Sequence, residues 1–295
     1  MKCDLCPRKC LVDRKKGEKG ICGQTENLKV ARAALHFWEE PCISGDAGSG
    51  AVFFSGCPLH CVFCQNENIA NGTVGKEISL ERLVDIFLEL QEKRANNINL
   101  VTPGHFVPQI VKALDQARKE GLTLPVVYNT SSYETVDTIK MLEGYVDIYL
   151  PDFKYMSPVL SKKYSHAPDY AEVAKAAIAE MVRQTGKAVF VNGDEDNLIL
   201  SGTIVRHLTL PGCMADSMQI LKYLHDTYGD MIYISIMNQF TPLSNLEKYP
   251  ELNRRITDEE YETLVDYAIE IGIENGFIQE GNTAEESFIL SLIHI

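Results

Sequence analysis

Three thiols within eight residues, Cys57-Pro-Leu-His-Cys61-Val-Phe-Cys64, follow directly on an apolar run, Ala51-Val-Phe-Phe-Ser-Gly56. The run reads as a buried strand, which places the thiols on the loop at its C-terminal end. Three soft ligands on one short loop suit three corners of a cubane iron–sulfur cluster. A [4Fe–4S] cluster held this way keeps one iron without a protein ligand, open to a small molecule. A four-thiolate zinc site is the competing reading, and it needs its fourth ligand from elsewhere in the chain.

Cysteine use follows the same logic over a wider stretch. The chain has nine cysteines, eight of them in the first 64 residues and only Cys213 beyond. Such clustering, without an apolar signal region at the start, points to metal binding in a reducing cytoplasm rather than a disulfide framework. Cys3-x2-Cys6-x3-Cys10-x11-Cys22, interleaved with Gly17, Gly20 and Gly23, reads as a knuckle folded tightly around a metal. Zinc and an auxiliary [4Fe–4S] cluster both suit four thiolates, and the spacing does not choose between them. Residues 28–49 link knuckle to strand. Within them, 36–45 reads either as a lip of an active site or, the reading preferred here, as a packing linker anchored by Trp38, with Cys42 a buried thiol.

Beyond the cysteine loop, helical and strand patterns alternate. Helices are predicted over Leu80–Ala95 (capped by Ser79), Val107–Glu120, Glu134–Leu142, Ala171–Thr185, Met214–Tyr228 and from the Thr257–Glu260 capping box to Ile271. Strands are predicted over Asn97–Thr102, Leu124–Tyr128, Val146–Leu150, Val189–Val191, Val205–Leu210, Met231–Met237 and Phe277–Gln279. Repeated units of this size imply an α/β fold of parallel strands, either a partial or full barrel or an open doubly wound sheet. In each of these, ligands collect at the C-terminal strand ends. Thr102, Asn129-Thr130-Ser131, Asp152 with Lys154, and Asn238-Gln239 all fall just after apolar runs, which argues for one site.

The 295 residues allow a large core, and no apolar run reaches the length of a membrane span. A formal charge of −13 argues against nucleic-acid or membrane-surface partners. Residues 1–32 carry nine Lys and Arg against four Asp and Glu, read as a solvated basic face beside metal thiolates.

Over about residues 1–287 the chain resembles the proteins homologous to pyruvate formate-lyase-activating enzyme, a branch of the radical S-adenosylmethionine (radical SAM) enzymes. The matching text is Cys6-Pro-Arg-Lys-Cys10, Glu39-Glu-Pro-x-Ile-Ser-Gly45, Ser55-Gly-Cys-x3-Cys-x2-Cys-Gln-Asn66, Asn97-Ile-Asn-Leu-Val-Thr-Pro103, Tyr149-Leu-Pro-Asp-Phe-Lys154 and Val205-Arg-His-Leu-x-Leu-Pro-Gly212. The resemblance implies a partial (β/α) barrel of the radical SAM type over 49–282, the Cys-rich segment and linker over 1–48, and a tail over 283–295. It also implies that Cys57, Cys61 and Cys64 hold a [4Fe–4S] cluster whose open iron chelates S-adenosylmethionine. By the same resemblance the backbone around Phe63 meets adenine. Asn129 and Ser131 lie near the cofactor, Lys154 meets its carboxylate, and Asp152 serves the sulfonium side, a monovalent cation or Lys154; a strand-end salt bridge is the other reading of the Asp152 and Lys154 pair. Arg206 and His207 either face the adenosine or take buried or surface roles, and both readings stay open. The activating enzymes carry Gly-Gly-Glu at the end of the second strand, where this chain has Thr102-Pro103-Gly104. Thr102 and backbone carbonyls can substitute, but no carboxylate is present there.

The implied reaction is reductive cleavage of S-adenosylmethionine to a 5′-deoxyadenosyl radical that takes a hydrogen atom from a substrate. That substrate is a glycyl residue of pyruvate formate-lyase or a related enzyme, or, alternatively, another protein, peptide or small molecule. A flavodoxin or ferredoxin is the expected electron donor. A non-catalytic iron–sulfur or zinc protein is the remaining alternative. Leu290-Ser-Leu-Ile-His-Ile295 breaks the preceding acidic pattern and reads as adapter sequence translated in frame.

Overall fold

The computed structural model describes residues 2–194, 197–243 and 246–279; the anomalous 290–295 stretch lies outside them. Ten strands occur among the described residues: β1 Lys29–His36, β2 Ser49–Phe54, β3 Lys76–Glu77, β4 Ile98–Val101, β5 Val126–Thr130, β6 Ile148–Pro151, β7 Val189–Phe190, β8 Ile199–Leu208, β9 Tyr233–Met237 and β10 Gly276–Ile278. Helices α1 Pro41–Ser44, α2 Glu67–Ala70, α3 Leu80–Glu92, α4 Val107–Lys119, α5 Val136–Lys140, α6 Pro158–Ser165, α7 Tyr170–Thr185, α8 Met214–Tyr228 and α9 Asp258–Glu270 alternate with them.

The sheet runs β10-β9-β8-β6-β5-β4-β2-β1-β3, and all neighbours from β2 to β10 pair in parallel. The path does not close on itself, so the partial barrel is the form adopted. Local chemistry explains the elements. The Ser79 hydroxyl accepts the Arg82 N–H at 3.1 Å to start α3, and Thr257 and Glu260 form the reciprocal cap of α9. Helix α6, not foreseen from the sequence, is set by Ser157, whose hydroxyl accepts from Val159 and Leu160, with Pro158 at its first position.

Residues 28–49 depart from the linker reading. Lys29–His36 is a full strand, antiparallel to β2. Its alanines give a weak strand pattern, but the fully buried β2 leaves backbone groups that must be paired, and β1 pairs them. Trp38, expected as an apolar anchor, is 59% exposed, whereas Cys42 is buried as expected.

Strand alternation then sorts the barrel interior into layers. Val127, Ile148, Leu150, Ile204 and Tyr233 join Cys42 and Ile43 of α1 in an apolar plug. One step further along the same strand faces come Asn129, Asp152, Arg206 and Ser235, which line a cavity. The Asn97 amide donates to the Ile43 carbonyl at 2.8 Å, fastening α1 in place. No helix among the described residues is long and apolar enough to cross a membrane.

Candidate active site

Cys57, Cys61 and Cys64 all line this cavity of about 520 Å³. Gly56 feeds the loop from β2 at φ +90°, and a Cβ there would collide with the Cys22 carbonyl oxygen. Phe63 is buried, edge-on to Tyr155, Tyr164 and Phe240 at 6.0–6.4 Å between ring centroids. Its ring anchors the loop, while the residue also borders the cavity. The Ser165 hydroxyl donates to Cys61 Sγ at 3.1 Å, and the Leu59 N–H donates to Cys57 Sγ at 3.4 Å. Burial and the neighbouring thiols push Cys57 up to about 11 and Cys64 up to about 12, with the Lys154 ammonium pulling both back.

Opposite the loop, the strand ends present a buried charge network. Asp152 takes Lys154 at 2.6 Å and the Arg206 Nε at 3.0 Å. The other guanidinium nitrogens donate to the Glu39 carboxylate at 2.9 Å and to the Asn129 side-chain amide oxygen Oδ1 at 2.6 Å. Burial opposes ionisation of Asp152, but Lys154 and Arg206 outweigh it and hold the carboxyl below its ordinary range. Lys154 is likewise shifted up, because Asp152 outweighs its burial. Of the three Lys154 donors, Asp152 takes one, which leaves capacity for a ligand carboxylate.

Backbone strain concentrates here. Thr102, a β-branched residue, sits at φ +55° where β4 ends, with its N–H on the Asn129 carbonyl at 2.9 Å. Tyr170 stitches neighbouring strand ends: its hydroxyl accepts from the Lys154 N–H and lies 2.9 Å from both the Ser131 and Asp152 carbonyls. Sequence reasoning did not single out Tyr170; its place in the first turn of an apolar helix face gave no signal.

Glu39 is the main residue the sequence undervalued. Its Oε1 accepts from Asn99 at 3.0 Å and Asn129 at 3.2 Å, while its Oε2 meets Arg206. A carboxylate absent from Thr102–Gly104 thus reaches the same cavity from the β1–α1 connection. Glu40 follows it in, shifted up by burial and by Glu39, and its Oε2 has no hydrogen-bond partner among the described residues. The signal was two adjacent carboxylates before Pro41 in an otherwise apolar stretch. Glu134 also lies behind Gly104, but it bonds Tyr128 and Thr130 and does not border the cavity.

Thr102, Asn129, Ser131, Asp152, Lys154 and Arg206 therefore meet around one space with Phe63 and the three cysteines. His207 does not. It sits on the other face of β8, buried and bonded to the Phe153 carbonyl and the Ser217 hydroxyl at 2.8 Å each, which is the buried one of the roles left open for it.

In the knuckle, partial burial pushes Cys6 up to about 12, with Cys22, Cys10 and Cys3 adding repulsion. Among the described residues, no three His, Cys, Asp or Glu side chains converge on a point that would hold a single metal ion. A cubane presents its irons at separate corners and needs no such convergence. Three thiols on one loop, facing a cavity with a free ammonium donor across it, fit a cluster with one open iron.

The profile of the Radical SAM superfamily matches residues 51–197, from β2 through the cysteine loop to β7. The chain belongs to the radical SAM superfamily. That membership brings a [4Fe–4S] cluster and S-adenosylmethionine as cofactors. An uncharacterized protein of Methanocaldococcus jannaschii is 27% identical over 275 residues, 90% of this chain and 74% of that one. Among solved structures, HydG, a maturase of the [FeFe]-hydrogenase, is similar at a TM-score of 0.52 and 15% identity, over 79% of this chain and 52% of that one. A spore photoproduct lyase mutant is similar at 0.54 and 13%, over 85% of this chain and 80% of that one. This radical SAM chain thus spans about half the length of the maturase. At these identities the likeness carries the fold alone.

Proposed function

We propose that this chain is an enzyme that cleaves S-adenosylmethionine reductively and uses the radical so made to take a hydrogen atom from a substrate. The observation that supports it most is the shared cavity, onto which the Cys57–Cys64 loop and the Asp152, Lys154 and Arg206 network all open. When bound, the cluster and its cofactor supply one-electron cleavage of the sulfonium carbon–sulfur bond. Cys57, Cys61 and Cys64 would hold three irons. Lys154 would take the cofactor carboxylate, oriented by Asp152. Asn129 and Arg206, locked by Glu39, would give the adenosine fixed polar partners. Phe53, Phe63, Leu208 and Met237 furnish apolar wall, which keeps water and stray hydrogen donors from a reactive radical. A low-potential one-electron donor, such as a flavodoxin or ferredoxin, completes the reaction.

The substrate reading we favour is the broader one: a protein, peptide or small molecule not fixed by the family. The narrower reading, a glycyl residue of pyruvate formate-lyase or a related enzyme, rests on the motif resemblance, and the chain lacks the Gly-Gly-Glu segment of those activases. The test is anaerobic reconstitution of the full chain with iron and sulfide, then dithionite and S-adenosylmethionine. Release of 5′-deoxyadenosine is expected; none, from protein with a full cluster, contradicts the proposal. Adding pyruvate formate-lyase and recording electron paramagnetic resonance (EPR) separates the readings, since only the narrower one yields a glycyl-radical doublet.

A further inference from the structure

We infer that the N-terminal Cys knuckle is the brace that holds the site-cluster loop in its ligating shape, so that knuckle metal and site cluster bind cooperatively. The inference rests on reading Cys57, Cys61 and Cys64 as cluster ligands and Cys3, Cys6, Cys10 and Cys22 as thiolates that hold a metal, and it assigns Arg8 as a positioning residue.

Between Gly56 and Cys64 the chain forms neither helix nor strand. Its C-terminal part has local support: the Cys64 N–H bonds the Cys61 carbonyl at 3.1 Å, and the Val62 N–H bonds the Tyr164 carbonyl at 2.8 Å. Pro58-Leu59-His60, which sets the distance from Cys57 to Cys61, is tied instead to the knuckle. Arg8 donates to the Pro58 carbonyl at 2.9 Å and lies 3.5 Å from that of Leu59. His60 adopts φ +53°, and its Nε2 lies 2.7 Å from the Ile21 carbonyl oxygen. A non-glycine residue in that conformation persists only where surrounding contacts over-determine it.

The same guanidinium reaches the Ser165 carbonyl at 3.0 Å and the His166 carbonyl at 2.6 Å, where α6 ends. The last turn of a helix leaves carbonyls without partners and favours a cation. Ser165 is also the residue whose hydroxyl holds Cys61 Sγ. One side chain therefore fixes the loop and the helix end that steadies the middle thiol.

Both anchors belong to the knuckle by sequence. Arg8 lies between Cys6 and Cys10, Ile21 precedes Cys22, and the Cys22 carbonyl abuts Gly56 next to Cys57. Among residues 2–22 only Arg14 and Cys22 are buried, too little apolar burial to hold the segment together by packing. With a metal on its four thiols, a segment of this kind would take its fold from that metal, since metal-binding free energy becomes folding free energy. Metal in the knuckle then places Arg8 and Ile21, which place Pro58–His60. Linkage makes the coupling reciprocal: whatever factor the knuckle metal gives the site cluster, the site cluster returns.

The experiment uses the full chain, reconstituted anaerobically, and follows the site cluster alone. The probe is the part of the reduced EPR signal that changes on adding S-adenosylmethionine, which the knuckle metal does not share. The rate at which a ferrous chelator removes that signal is measured for wild type, Arg8→Ala, Arg8→Lys and His60→Ala. Arg8→Ala is expected to lose it about tenfold faster, a typical size for coupling between sites. Arg8→Lys should fall between, because an ammonium cannot span four carbonyls, and His60→Ala should also be faster. In the converse arm, Cys57→Ser/Cys61→Ser/Cys64→Ser should release knuckle metal faster than wild type. Wild-type rates in both Arg8→Ala and His60→Ala, or an unchanged knuckle in the triple variant, overturn the brace. Absence of the S-adenosylmethionine-responsive signal from wild type is a separate result: it overturns the reading of the loop itself.

Discussion

Arg206 holds the cavity's charges in register. Its guanidinium meets Asp152, Glu39 and Asn129 at once, a fork that a lysine cannot reproduce. Removing Glu39 leaves a buried cation short of one counter-charge, which typically costs about 3 kcal/mol. Glu39→Ala should therefore lower urea-unfolding stability by that order, whereas alanine at exposed Glu259 should change it little. Two buried imidazoles make a second case. Burial holds His207 down to about 4 and His105 down to about 3, against an ordinary value of 6.5. Between those values the unfolded chain binds more protons than the folded one, so stability falls as pH drops from 6.5 toward 4. Each group contributes a slope of at most about 1.4 kcal/mol per pH unit in that window. The change in urea midpoint between pH 7 and pH 5 should differ in His207→Gln from wild type, with less stability lost on acidification; the same change in both proteins would contradict the assignment.

At the scale of elements, the parts visible in the sequence were those whose partners lie close in the chain. Helix α8 was predicted with its observed bounds, and the α9 capping box was found as read, because caps and amphipathic faces are local. Strand β1 was missed, since a run of alanines becomes a strand only beside the buried edge of β2. Glu39 was undervalued with it, its stretch being read as a linker in preference to an active-site lip: that carboxylate acquires meaning once β1 and α1 carry it across to β5 and β8. The strand-end residues were legible because parallel α/β folds place such residues at one end regardless of side-chain detail. For His207 the sequence left a buried role open, and strand alternation decides it, as neighbouring Arg206 and His207 face opposite ways. The junction of knuckle and loop gives a sharper test. Gly56→Ala puts a Cβ against the Cys22 carbonyl at a φ of +90°, a conformation that costs a non-glycine residue about 1–2 kcal/mol before any clash. The variant should retain less site iron after reconstitution than wild type; full iron content would show that the junction yields.

For the whole molecule, three layers explain why one cavity serves both metal and organic cofactor. An apolar plug closes the barrel interior, a ring of paired charges lies above it, and the cysteine loop stands over that ring. The central claim is that the ring and the loop bind the same ligand. The most direct measurement is S-adenosylmethionine affinity of the cluster-loaded protein, wild type against Lys154→Met, with iron content matched. Loss of a charge-assisted hydrogen bond to the cofactor carboxylate should weaken binding by about tenfold or more. Equal affinity, with the cluster intact in both, would contradict the account.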